Sequence, residues 1–190
     1  MGERKVSVPL PTTTAAKPRA PSRSLKAHPR KRHDEDAMTI NDIMTTDVKT
    51  CSPSTDVSAA AALMLDGDCG FLPVVDDGKL IGVVTDRDMY IALATRDVKP
   101  SDLRVGDVAS TKVWTCSPDD DVYAALATMK EKRVRRLPVV GFGGTVVGIV
   151  SMNDLLLRAG ARKPIRTDEV VGTFQGICAH HQPVPHIHTA

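Results

Sequence analysis

The chain has 190 residues, 42% of them hydrophobic but only 3% aromatic, and a formal net charge of +2. That length suits one compact domain with loose ends or two small fused units, with Val, Ile, Leu, Ala and Met building the core. No apolar run approaches the ~20 residues that span a bilayer, and no apolar stretch follows the N-terminal basic residues as a secretory signal requires, so a cytoplasmic protein with no membrane partner is expected.

Residues 1–37 read as a disordered basic tail. They are rich in Pro, Thr, Ser, Ala, Lys and Arg and cannot bury enough surface to offset the entropy of ordering. They hold nine Lys or Arg against four acids, so the tail carries +5 and the remainder −3. The basic balance therefore belongs to the tail and gives no support for nucleic-acid binding by the folded part.

An internal repeat begins after the tail. Thr50-Cys51-Ser52-Pro53 returns as Thr115-Cys116-Ser117-Pro118, and Leu72-Pro73-Val74-Val75 as Leu137-Pro138-Val139-Val140. One residue later in register, Gly82-Val83-Val84-Thr85 returns as Gly148-Ile149-Val150-Ser151, and Asp88 as Asp154. The slip falls between Asp76-Asp77-Gly78 and Gly141-Phe142-Gly143-Gly144, at a hairpin tip that tolerates insertion.

Each repeat reads as strand, helix, strand, strand, helix. In the first, 38–100, Val48–Cys51 is extended. Ser54 or Thr55 caps the alanine-rich helix that follows. Leu72–Val75 and Leu80–Thr85 form a hairpin, and Thr85 or Asp86 caps a helix running to about Thr95. In the second, 101–162, the same elements fall at Val113–Thr115, Asp119–Lys132, Leu137–Val140, Val146–Ser151 and Met152–Ala159. Within 163–190, Thr167-Asp168-Glu169 starts a short helix. Val170, Val171, Phe174, Ile177 and Cys178 recur at helical spacing, giving it an apolar face. The end is His-rich.

Two such repeats, each with Leu-Pro-Val-Val and a Gly-x-Val-Thr/Ser-x-x-Asp turn, resemble the cystathionine-β-synthase (CBS) domain. Overall length, the early Cys and the terminal Ile-Cys further resemble small stand-alone CBS-pair proteins of actinobacterial hypoxia responses. The resemblance implies an α/β fold of two β-α-β-β-α repeats in pseudo-two-fold arrangement, a Bateman module. It also implies a homodimer, and AMP, ADP, ATP or S-adenosylmethionine as a regulatory ligand between the repeats.

The resemblance places Thr85, Asp88, Ser151 and Asp154 against ribose and phosphate, Thr50 and Thr115 beside the adenine edge, and Arg135 and Arg136 beside phosphate. Hydroxyls at helix starts suit phosphate oxygens, carboxylates accept from a ribose diol, and Arg offers a bidentate fork. The same Thr, Ser and Asp equally serve as helix caps, and Thr50 and Thr115 equally as β-branched strand residues. Arg133 reads as a solvated charge. The matching first-repeat loop, with Asp66 and Asp68, is acidic. Two unequal clefts are therefore expected, the phosphate-holding one built from Arg135, Arg136, Ser151 and Asp154.

Cys51, Cys69, Cys116 and Cys178 lack C-x-x-C spacing, which argues against a zinc knuckle. Cys51 and Cys116 read as buried small apolar residues. The resemblance to the stand-alone relatives implies a redox-responsive Cys51–Cys178 disulfide. His180, His181, His186 and His188 are weak zinc candidates without an organised second shell. No nucleophile elbow, HExxH, P-loop or dinucleotide fingerprint is present, so no enzyme is expected. The alternative to a ligand sensor is a ligand-free interaction protein of a stress response, acting through an unknown protein partner.

Overall fold

A computed structural model describes residues 38–159 and 165–179, all within the unit Glu35–Ala190. The expected tail 1–37 and His180, His181, His186 and His188 lie outside the described residues.

Helix α1 (Val57–Asp66) is capped by Asp56, whose carboxylate accepts from the Ala59 N–H at 2.8 Å. Ser54 and Thr55, the expected caps, are instead spent in the preceding turn, where Thr55 Oγ1 accepts from the Ser52 N–H. Strands β1 (Phe71–Asp76) and β2 (Lys79–Thr85) pair antiparallel across Asp77 and Gly78, both at positive φ, as a primed hairpin turn requires. Helix α2 (Asp86–Arg96) follows directly.

The second repeat supplies α3 (Val122–Lys132), β3 (Arg136–Val140), β4 (Val146–Ser151) and α4 (Met152–Arg158). The extra residue of its hairpin sits in Phe142–Gly144, where Gly143 and Gly144 take φ of 74° and 90°. Helix α5 (Thr167–Cys178) lies against α3 and α4. Its Val170 and Ile177 join the second repeat's core.

The expected first strand of each repeat contracts to a single parallel bridge, Cys51 to Val74 and Cys116 to Val139. The order is otherwise the expected one.

The two cores exchange their leading segments. Ile40 and Ile43, which open the first repeat, are buried in the second core. Leu103 and Val105, which open the second, are buried in the first. Short antiparallel bridges fix the exchange: Thr45 to Ile149, and Ser110 to Val83. Gly148 and Gly82 permit it. A Cβ at Gly148 would stand 3.1 Å from the Thr45 carbonyl oxygen, and one at Gly82 would stand 3.1 Å from that of Ser110. At both glycines the backbone thus closely approaches another segment of the same chain.

Candidate functional site

Each repeat ends its hairpin in a reciprocal capping box. Asp88 Oδ2 accepts from the Thr85 N–H at 3.0 Å and from Thr85 Oγ1 at 2.7 Å, while Thr85 Oγ1 accepts from the Asp88 N–H. Ser151 and Asp154 repeat the arrangement at 2.7 and 2.6 Å. Both carboxylates commit Oδ2 to the helix start, so the capping role is realised at both sites.

Two clefts flank the hairpins. The first, of about 480 Å³, takes Phe71, Val83, Thr85, Asp86 and Arg87 from the first repeat. Ser110, Lys112, Val113, Trp114, Val134, Arg135, Arg136 and Pro138 complete it. The second, of about 400 Å³, takes Ile149, Ser151, Asn153, Asp154 and Arg136 from the second repeat. Facing them are Thr45, Asp47, Val48, Lys49, Asp66, Asp68, Cys69 and Phe71.

Arg135 is therefore separated from the Ser151 and Asp154 pair with which it was expected, while Arg136 borders both clefts. Arg135 and Arg136 stand over the Thr85 helix start of the first repeat. The Ser151 and Asp154 pair faces the acidic loop bearing Asp66 and Asp68. The cause is the pseudo-symmetry: the loop entering each hairpin reaches across to the other repeat's cleft.

The clefts differ sharply in charge. Four basic side chains (Arg87, Lys112, Arg135, Arg136) face one carboxylate, Asp86, in the first. Four carboxylates (Asp47, Asp66, Asp68, Asp154) face Lys49 and Arg136 in the second. Equivalent positions carry the difference: Lys112 matches Asp47, Arg87 matches Asn153, and Arg135 matches Gly70.

Thr50 and Thr115 are exposed and line neither cleft; the residues one and two places earlier do so instead. Asp88 does not line the first cleft, whereas Asp86 does, with Oδ2 2.6 Å from where a Cβ on Gly70 would stand. Arg133 forms the left-handed C-cap of α3. Lys112, Trp114 and Phe71 were not among the expected site residues. The repeat offset carries a signal for them, because it aligns Lys112 and Trp114 with Asp47 and Lys49.

Trp114 is half-buried against the second core. Lys132 Nζ stands 4.5 Å from its ring centroid and Lys112 Nζ 5.6 Å.

All four cysteines are free thiols. Cys51 is buried in the first core, with its thiol directed at the Pro73 carbonyl. Cys178 is exposed at the end of α5, which docks on the second repeat. Cys51 thus lies inside the first core, and Cys178 lies on the surface of the helix that packs on the second repeat. Burial pushes the Cys51 thiol up to about 11. Burial, and then the nearby Asp120 charge, push Cys116 up to about 12. Among the described residues no cluster of His, Cys, Asp and Glu could hold a metal ion, and no helix is long and apolar enough to cross a membrane.

Comparison with known proteins agrees with this architecture. The family model described as CBS domain matches residues 40–95 and 105–160. The CBS domain-containing protein YhcV of Bacillus subtilis is 36% identical over 116 residues, covering 61% of this chain and 81% of that protein. By contrast, the chain spans 22% of a 34%-identical inosine-5'-monophosphate dehydrogenase from Thermoplasma acidophilum. The crystal structure of Hypoxic Response Protein I with two coordinated zinc ions superposes with a TM-score of 0.56 at 31% identity, covering 63% of this chain and 98% of that one. The CBS domain pair of MJ0100, in complex with 5'-methylthioadenosine and S-adenosyl-L-methionine, superposes with a TM-score of 0.59 at 27% identity, covering 65% and 100%.

Proposed function

The chain belongs to the CBS-domain family, and we propose that it is a non-catalytic regulatory module that binds an adenine nucleotide in its first cleft. The observation that carries this reading is the division within that cleft. Phe71, Val83, Val113, Trp114, Val134 and Pro138 form an apolar wall, and Lys112, Arg87, Arg135 and Arg136 a basic rim. An aromatic base with a phosphate needs both surfaces at once, and clustered guanidinium groups suit phosphate oxygens. Thr85, half-buried at the mouth of an 11-residue helix, adds a hydroxyl beside backbone N–H groups. The complex of the MJ0100 pair with 5'-methylthioadenosine and S-adenosyl-L-methionine supports a ligand that carries an adenosine.

The second cleft supports the alternative role, a surface for a protein partner. Its carboxylates disfavour phosphate by like-charge repulsion. Self-association into a homodimer is supported by Leu65, Tyr90 and Leu157, which are 82%, 74% and 80% exposed on α1, α2 and α4.

Thermal unfolding with AMP, ADP, ATP and S-adenosylmethionine tests the ligand reading. A ligand at 100 times its dissociation constant should add about 2.7 kcal/mol. No stabilisation by any of them would sink the sensor reading in favour of the interaction protein, and turnover of a nucleotide would favour an enzyme.

A further inference from the structure

We propose that Trp114 is the platform on which the ligand's base stacks, and that Lys112 is a cation exchanged from the indole ring to the phosphate when the base arrives. The inference rests on nucleotide binding in the first cleft and adds which residue selects an aromatic base.

Two ammonium groups stand near this ring, and they are held differently. Lys132 is the closer, at 4.5 Å from the centroid. It is half-buried, ion-paired with Glu131, and does not line the cleft. Lys112 is farther, at 5.6 Å, exposed, and lines the cleft beside Trp114. Lys132 is thus the fixed cation. It sits in an attractive position for the ring's negative face and needs no rearrangement. Lys112 is the loosely held one on the cleft side.

A purine sliding onto the ring gains stacking over a large flat area. It displaces the ammonium of Lys112, which remains within the basic rim formed with Arg135 and Arg136. The displaced charge is not stranded, because the phosphate arrives with the base. The second cleft lacks the device. Its equivalent of Trp114 is Lys49 and its equivalent of Lys112 is Asp47. At these matching positions a base finds no ring and a phosphate finds no cation in Lys112's place.

Trp114 is the only tryptophan in the chain, so its fluorescence reports this site alone. The full chain is titrated with AMP, with ribose 5-phosphate and with inorganic phosphate, following calorimetry and tryptophan emission together. AMP is expected to bind with a saturating change in emission that tracks the calorimetric isotherm. Ribose 5-phosphate and phosphate should bind more weakly and leave emission nearly unchanged.

Trp114→Leu should weaken AMP about tenfold or more, in keeping with the usual worth of base–aromatic stacking, and leave ribose 5-phosphate unaffected. Trp114→Phe keeps a ring and should lose less than about threefold, which separates stacking from a folding defect. Lys112→Ala should weaken AMP while the emission change persists. Calorimetric AMP binding that is equal in Trp114→Leu and wild type, or that leaves emission unmoved, overturns the platform and spares the nucleotide reading. Absence of calorimetric binding by AMP, ADP and ATP alike overturns both.

Discussion

Phe71 and Arg136 occupy equivalent positions in the two repeats, and they face each other: the guanidinium carbon stands 6.0 Å from the ring centroid. Each opens its hairpin opposite the capping hydroxyl, Phe71 paired with Thr85 and Arg136 with Ser151. Both border both clefts. Identical residues here would put two rings or two like charges together. The Phe–Arg pair instead joins a ring face to a cation and makes one guanidinium the shared wall between a basic and an acidic cleft.

Arg136→Met keeps the aliphatic stem over Phe71 and removes the charge. A charge-assisted hydrogen bond is worth roughly 1.5–3 kcal/mol, so nucleotide affinity should fall by about that much, while urea-unfolding stability changes by less than about 1 kcal/mol. Calorimetry on the folded variant decides it. Unchanged affinity would remove Arg136 from the site.

The charge difference between the clefts predicts one strong nucleotide site per chain. Titration should saturate at a stoichiometry of one, with affinity falling as salt rises because the site is partly exposed. The triple variant Asp47→Asn, Asp66→Asn, Asp68→Asn should reveal a second, weaker site. Two equal sites in the wild-type chain would contradict the asymmetry.

The capping boxes separate structural from ligand roles. Ser151→Ala and Thr85→Ala should each cost about 1 kcal/mol of stability, measured by denaturant unfolding. Ser151→Ala should leave nucleotide binding intact, because Ser151 lines only the acidic cleft. Thr85→Ala should weaken binding as well, and Thr85→Ser should restore both. Equal loss of binding in both alanine variants would show that the effect is one of folding alone.

The thiols should divide by depth. Cys51 and Cys116 are buried, with pKa values raised to about 11 and about 12, whereas Cys69 is half-buried and Cys178 exposed. Alkylation of the native protein at pH 8, read by mass spectrometry, should label Cys69 and Cys178 and spare the other two. A raised folded-state pKa means the native protein holds its thiol protons more tightly than the unfolded chain. That stabilisation is complete below the ordinary value of 9.0 and is lost as pH climbs towards 11–12. Cys51→Ala and Cys116→Ala should flatten the stability decline above pH 9.

Much of the fold was legible in the residues. The Leu-Pro-Val-Val copies, the two hairpin tips and the alanine-rich helix mark local structure through periodicity, turn chemistry and propensity, all of which act within a few residues. The helix over Thr167–Cys178 was legible for the same reason. The cap of α1 falls one or two residues beyond the expected Thr55 or Ser54, because Asp56, Thr55 and Ser54 are all competent caps and only the closure of the Ser52–Thr55 turn chooses between them.

The site was legible in its ingredients and not in its assembly. By itself the sequence determined that there are two repeats, that each carries a Thr/Ser-x-x-Asp helix start, and that the loop entering one hairpin is basic and the loop entering the other acidic. Only the tertiary structure decided that each loop serves the other repeat's helix start. It also put Trp114 and Lys112 in one cleft with Arg135. Those pairings arise from the exchange of segments 38–45 and 103–110 between the two cores. They join residues about 20 to 100 positions apart, and no local propensity or spacing encodes which distant surface a loop will meet.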